Sequence, residues 1–123
     1  VTTMQLMFSG AEAYNQPMNN WNVEKVVNME NMFATAKAFQ QPLNLWKLNA
    51  LLTGAFFMGQ TGAASAITYT LLDTLYNGWV IDFAELNIDV VISFGDSKFT
   101  AAGQAARKIL VDDKGWVITD GGL

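Results

Sequence analysis

Neither cysteine nor histidine occurs anywhere in the chain. Their joint absence excludes disulfides, Ser-His-Asp and Cys-His nucleophile systems, zinc held by imidazole or thiolate, and haem on histidine. Charge is scarce as well: charged residues make up 15% of 123, seven basic against eleven acidic, for a net charge of -4. Nothing resembles the basic stripe that neutralises phosphates, so no nucleic-acid partner is expected. Prolines number only two, and 51% of residues are apolar, which separates the chain from disordered sequences. A mass of 13.5 kDa suits one domain with a core of its own. No charged residue lies between Lys47 and Asp73, but Asn49, Thr53, Gln60 and Ser65, with Gly54, Gly59 and Gly62, break the apolar run that a spanning helix requires. No membrane span is expected. The missing cysteine leaves the compartment open. The chain begins at Val1 with no signal-type segment, and reads as processed, trimmed or part of something longer.

What is there is a repeat. Residues 1–25 and 26–50 align without a gap, and ten of the twenty-five pairs are identical: Val1/Val26, Met4/Met29, Met7/Met32, Phe8/Phe33, Ala11/Ala36, Ala13/Ala38, Gln16/Gln41, Pro17/Pro42, Asn19/Asn44 and Trp21/Trp46. A third copy starts in the same register at Leu51, keeps Phe57-Met58, and then loses the Gln-Pro and Trp positions, so that 51–66 reads as a degenerate third repeat. Within a unit, Val26, Met29, Met32, Phe33 and Ala36 fall at helical spacing and predict a short helix or 3₁₀ turns over 26–36. Pro42 stops a helix, and the alternation of residues 43–48 predicts a short strand. A unit this small cannot bury its apolar face alone, so successive units are expected to lie side by side, strands about 4.8 Å apart, with Trp21 over Trp46. The resulting expectation is an α/β solenoid, a leucine-rich-repeat-like right-handed stack with short parallel strands.

The remaining residues, 67–123, read as a C-terminal cap. Ile67, Leu71, Leu72 and Leu75 predict a helix ending at Asn77-Gly78. The β-branched alternation from Ile88 to Phe94 predicts a strand, and Gly95-Asp96-Ser97 a turn. Thr100 is a natural N-cap for a helix with Ala102, Ala105, Ala106, Ile109 and Leu110 on one stripe and Arg107 and Lys108 toward its end. Trp116 to Thr119 predicts a second strand. Strand, helix, strand is a parallel crossover that would close the end of a single repeat domain. The N-terminal end has no such device, and its edge at Val1, Met4, Met7 and Phe8 is expected to be covered by further repeats, a preceding domain or another chain.

The pattern Val-x-x-Met-x-x-Met-Phe-x-x-Ala-x-x-aromatic-x-Gln-Pro-x-Asn-x-Trp resembles the repeat of the BspA-like leucine-rich-repeat surface proteins of bacteria, which also occur in phage genomes. The tail is similar to theirs too: Tyr69, Leu72, Asp73, Gly78 and Trp79, then Gly95-Asp96-Ser97, the stretch Ala101 to Leu110 with Arg107, and Gly115 to Gly122. The resemblance implies a non-enzymatic binding or adhesion module, extracellular or at a cell surface, making protein–protein or protein–glycan contact. The alternative it leaves is a structural component of a virion or other assembly, such as a phage tail or capsid accessory protein, docking through the open N-terminal edge. Partners would be a host surface, other repeats, assembly subunits or a glycan, and a homo-oligomer is left open.

Trp21 and Trp46 are candidates for a stacking platform, against the plainer reading of a repeated core spacer. Asn19, Asn44, Gln16 and Gln41 could bind a partner or form internal ladders that satisfy turn backbone. The six methionines mostly occupy the apolar stripe and read as core filling, against the alternative of a promiscuous Met-rich groove. Asp112-Asp113 and the pair Asp82 and Glu85 lack the alternating oxygen spacing of a calcium loop, and no glycine-rich phosphate loop follows a strand. No metal, cofactor or enzymatic activity is expected.

Overall fold

The computed structural model describes residues 1–59, 67 and 69–123, the last range without the side chain of Tyr69. The 25-residue period is written into the backbone. Left-handed residues recur at Leu6 (φ 61°), Asn31 (φ 54°) and Phe56 (φ 56°), and again at Gly10 (φ 76°) and Thr35 (φ 58°). Each such residue ends any helical run, because an L-residue in that conformation reverses the chain's handedness locally. Residues 5–10 and 30–35 are therefore successive turns, closed by bonds such as Met7 N to Met4 O at 3.2 Å and Met32 N to Met29 O at 3.3 Å.

The other backbone groups join one unit to the next. The amides of Met4, Leu6, Phe8 and Gly10 donate to the carbonyls of Asn28, Glu30, Met32 and Ala34 at 2.8–3.0 Å, and those of Met29, Asn31 and Phe33 donate to Thr53, Ala55 and Phe57 at 2.9–3.0 Å. Parallel bridges Thr3–Asn28 and Asn28–Thr53 lie along the same line. Regular strands begin only there. β1 (Thr53–Gly54), β2 (Val91–Ser93) and β3 (Val117–Thr119) form an open, all-parallel, three-stranded sheet in the order β1-β2-β3, with Thr53 opposite Val91 and Val91 opposite Val117.

Helix α1 (Tyr69–Trp79) separates β1 from β2, and α2 (Ala101–Lys108) separates β2 from β3. The Thr100 hydroxyl caps α2 by accepting from Ala102 N at 3.2 Å, as its residue type predicts. A five-residue π-turn, Ile109–Asp113, extends the helix, and the Trp116 amide closes it onto Leu110 O. The inward face of α2 is Gly103 and Ala106, continued by Leu110 of the π-turn, whereas Ala102 and Ala105 face solvent. Helix α1 runs through Asn77-Gly78 instead of stopping there. A Cβ on Gly78 would stand 2.3 Å from the Asn44 carbonyl oxygen, so this glycine serves close approach of helix to unit, not termination. One core cluster runs the length of the chain, from Met4 and Met18 through Phe33 and Phe57 to Tyr76, Phe94 and Trp116.

The α/β solenoid expectation is thereby corrected. No right-handed leucine-rich-repeat-like stack closed by a cap is found; the described residues form an open three-stranded parallel sheet with two α-helices. The units themselves contain neither the helix expected over 26–36 nor the strand expected over 43–48. Asn31 and Thr35 in the left-handed region interrupt the first. At the second, turn bonding takes over: Trp46 N donates to Leu43 O at 3.2 Å, and Leu45 N is taken by the Asn19 side chain at 2.9 Å. Parallel pairing falls instead at Asn28, inside the half expected to be helical. Of the degenerate third repeat, residues 60–66 lie outside the described residues.

Candidate functional site

The two repeats have nearly the same sequence and opposite exposure. Val26, Met32 and Trp46 are 0%, 0% and 2% exposed; their counterparts Val1, Met7 and Trp21 are 82%, 47% and 39% exposed. Phe33 and Phe39 are buried, whereas Phe8 and Tyr14 are half-buried. The second unit is covered by the first, and the first presents the same side chains to solvent. Phe8 stacks on Phe33 (5.5 Å, 5° between planes), and Tyr14 on Phe39 (6.1 Å, 4°), so two aromatic columns run to this face. Phe8 also meets Tyr14 at 4.2 Å and Trp21 at 5.9 Å, making one aromatic surface there. Met7 and Trp21, with the half-buried Phe8 and Tyr14, give this face the apolar and aromatic make-up of contact surfaces.

The sequence-derived candidates divide accordingly. Met4 is buried, while Val1, Met7 and, in part, Phe8 form the exposed edge. Trp21 lies on that edge, against Phe8, and Trp46 is in the core with its indole donating to Met18 O at 2.9 Å. Asn19 donates to Asn44 at 3.0 Å and accepts from Leu45 N. Gln41 donates to the Asn15 carbonyl and side-chain oxygens at 3.2 and 3.0 Å, and Gln40 N also donates to Asn15 Oδ1. Gln16 is exposed. The amides thus tie unit to unit, with Asn15 as the acceptor that sequence reasoning did not single out.

A second feature concerns the tryptophans. Trp46, Trp79 and Trp116 each donate an indole N–H to a backbone carbonyl closer to the N-terminus: Met18 at 2.9 Å, Leu43 at 2.9 Å and Asn87 at 2.8 Å. Trp21 has no such acceptor among the described residues.

At the other end, Asp120 gathers three partners. It accepts from the Tyr76 hydroxyl at 2.6 Å, from Arg107 Nε at 2.8 Å and Nη2 at 3.3 Å, and from Gly122 N at 3.1 Å. Burial, reinforced by the Asp120 carboxylate, pushes the Tyr76 phenol far above its ordinary range. Burial opposes the Arg107 charge, but the same carboxylate outweighs it and holds that pKa above its usual value. Arg107 also lies 5.1 Å over the Phe99 ring. With every oxygen engaged, this cluster ties α1, α2 and β3 together and offers no free acid or base. Asp73 similarly accepts from Thr100 N and Oγ1 at 2.8 and 2.6 Å. Asp112 pairs with Lys108 at 3.0 Å on the surface.

A cleft of about 170 Å³ is lined by residues 44–49, by Gly78 and Trp79 at the end of α1, and by Ile81, Asp82 and Leu86. Among the described residues, no group of three or more His, Cys, Asp or Glu could hold a metal ion, and no helix is long and apolar enough to cross a membrane.

Residues 1–67 of the 123 match the family described as "Mycoplasma protein of unknown function, DUF285", and the chain belongs to that family. No curated protein matches the chain. No solved structure matches it either.

Proposed function

We propose that the chain is a non-enzymatic binding module that makes protein–protein or protein–glycan contacts at a cell surface, and that the face of its first unit is the contact surface. The observation that carries this reading is the exposure of Met7 and Trp21 beside the half-buried Phe8, whose counterparts one unit on are core. An enzyme would need convergent polar groups with spare hydrogen-bonding capacity, and the buried carboxylates described here are spent on structure. The resemblance to BspA-like surface repeats points the same way. A second reading, a component of a virion or other assembly, is favoured by the same edge, because assembly subunits meet through apolar, self-ordered surfaces.

The test is surface binding by the purified 123-residue chain, measured on intact cells and on immobilised glycans, against a Met7→Asp variant. Met7 is half exposed, so the charge should leave the circular dichroism spectrum unchanged and abolish binding. Binding that is indifferent to Met7→Asp would refute the assignment of this face.

A further inference from the structure

The cleft beside α1 combines an apolar floor with two unspent charges of opposite sign. Its walls meet where Gly78 lies against the Asn44 carbonyl, an approach that leaves no room for a Cβ. The floor is apolar because Leu48 and Leu86 are buried there, and because the Trp46 and Trp79 indole N–H groups are already donated to the Met18 and Leu43 carbonyls. Leu45 and Ile81, both exposed, line the same cleft. Lys47 stands on the wall formed by the turn, and Asp82 on the wall that follows α1. Among the described residues these two form no ion pair with each other. Lys47 reaches Glu24 at 4.0 Å, with both side chains largely in solvent. Asp82 precedes the 3₁₀ turn Phe83–Glu85, yet its carboxylate makes no capping hydrogen bond there and joins no ion pair among the described residues. Each charge therefore keeps its capacity to bind.

We propose that this cleft binds a free α-amino acid with an apolar side chain. Its carboxylate lies on Lys47, its ammonium on Asp82, and its side chain over Leu48 and Leu86. A volume of about 170 Å³ is below that of drug-sized pockets and suits a ligand of this class. A neutral sugar fits worse, since it wants an open aromatic face and ring-facing donors, and both indoles here are buried with their N–H groups engaged. A simple anion or cation would meet one complementary charge and one of its own sign. A zwitterion with an apolar body answers floor and charges together. The lining residues are distinct from Met7, Phe8 and Trp21, so this site stands apart from the contact surface proposed above.

The test is titration of the isotope-labelled 123-residue chain with L-leucine, followed by backbone amide shifts in NMR spectra. Saturable shifts are expected at residues 44–49 and 78–82. Asp82→Asn and Lys47→Gln should each weaken binding about tenfold, the loss of one charge-assisted hydrogen bond. Both side chains are exposed, so the circular dichroism spectrum should not change. Modified ligands ask the same question of the native chain. N-acetyl-leucine, which lacks the ammonium, should bind about tenfold more weakly and be indifferent to Asp82→Asn; leucinamide, which lacks the carboxylate, should do the same with Lys47→Gln. Leucine that produces no saturable shift at the cleft overturns the proposal. So does N-acetyl-leucinamide bound as tightly as leucine, which would make the cleft a seat for an apolar side chain of a polypeptide.

Discussion

Replacing Asp120 by alanine should be among the most damaging single changes in the C-terminal half. The substitution strands the Tyr76 hydroxyl, whose residue is fully buried, at a cost of about 1–3 kcal/mol for an unsatisfied polar group. It also removes the Arg107 partner. Breaking a fully buried ion pair costs about 3–5 kcal/mol, but the Arg107 side chain is 26% exposed and keeps the Phe99 ring, so roughly 1 kcal/mol is the share to assign. Together these give a loss of about 2–4 kcal/mol, a large part of the 5–15 kcal/mol typical of a domain. Equilibrium urea unfolding is the assay. With a slope of about 1–3 kcal/mol per molar, the midpoint should fall by roughly 1–2 M with the slope unchanged. In the Tyr76→Phe background, the same change should cost about 1 kcal/mol less, because no hydroxyl is stranded. An Asp120→Ala chain within about 0.5 kcal/mol of native would refute the claim that this carboxylate ties the two helices to β3.

Three further outcomes are expected. Because the folded Tyr76 phenol lies above its unfolded value of 10.0, its contribution is fully present below that pH and is lost as pH rises beyond it, by up to about 1.4 kcal/mol per unit. Alkaline urea titrations should show that slope, and Tyr76→Phe should flatten it. Gly78→Ala drives a methyl group into the Asn44 backbone and should cost about 1–3 kcal/mol; an unchanged thermal midpoint would show that helix and turn can part without penalty. Leu6→Asn places at an exposed left-handed position the residue type found at Asn31, and should raise stability by about 0.5–1 kcal/mol; a lower urea midpoint would contradict the strain assigned there.

The period of the repeat, the strand near Val91, the helix capped by Thr100 and the strand after Gly115 were legible from residue spacing, because each depends on local chemistry. The conformation inside the unit was not. Leu6 and Phe56 carry no signal for a left-handed backbone, and Met, Phe and Ala at helical spacing mimic a helix that the chain breaks at Asn31 and Thr35. The apolar alternation at 43–48 mimics a strand, while the amide of Asn19, set by the neighbouring unit, imposes a turn. On the site, the repeated tryptophans were visible, but not that covering by the preceding unit would bury Trp46 and spare Trp21. The Tyr76, Arg107 and Asp120 cluster joins residues 44 and 13 positions apart, with no spacing to betray it.

The pairing of each unit with its neighbour also bears on how the molecule opens and closes. Every hydrogen bond described for residues 1–25 ends within residues 1–50, and the bonds between the two units span separations such as 25, 26 and 28 positions. Closing a loop of that size costs roughly 3 kcal/mol of chain entropy, and nearly the same for each unit added. Assembly of the native state can thus advance in steps of even difficulty, without an early search for distant partners. Its reversal is graded: the first unit can detach while the core around Tyr76 and Phe94 stays closed, so amide protons should exchange soonest at Met4 to Gly10 and last in β2.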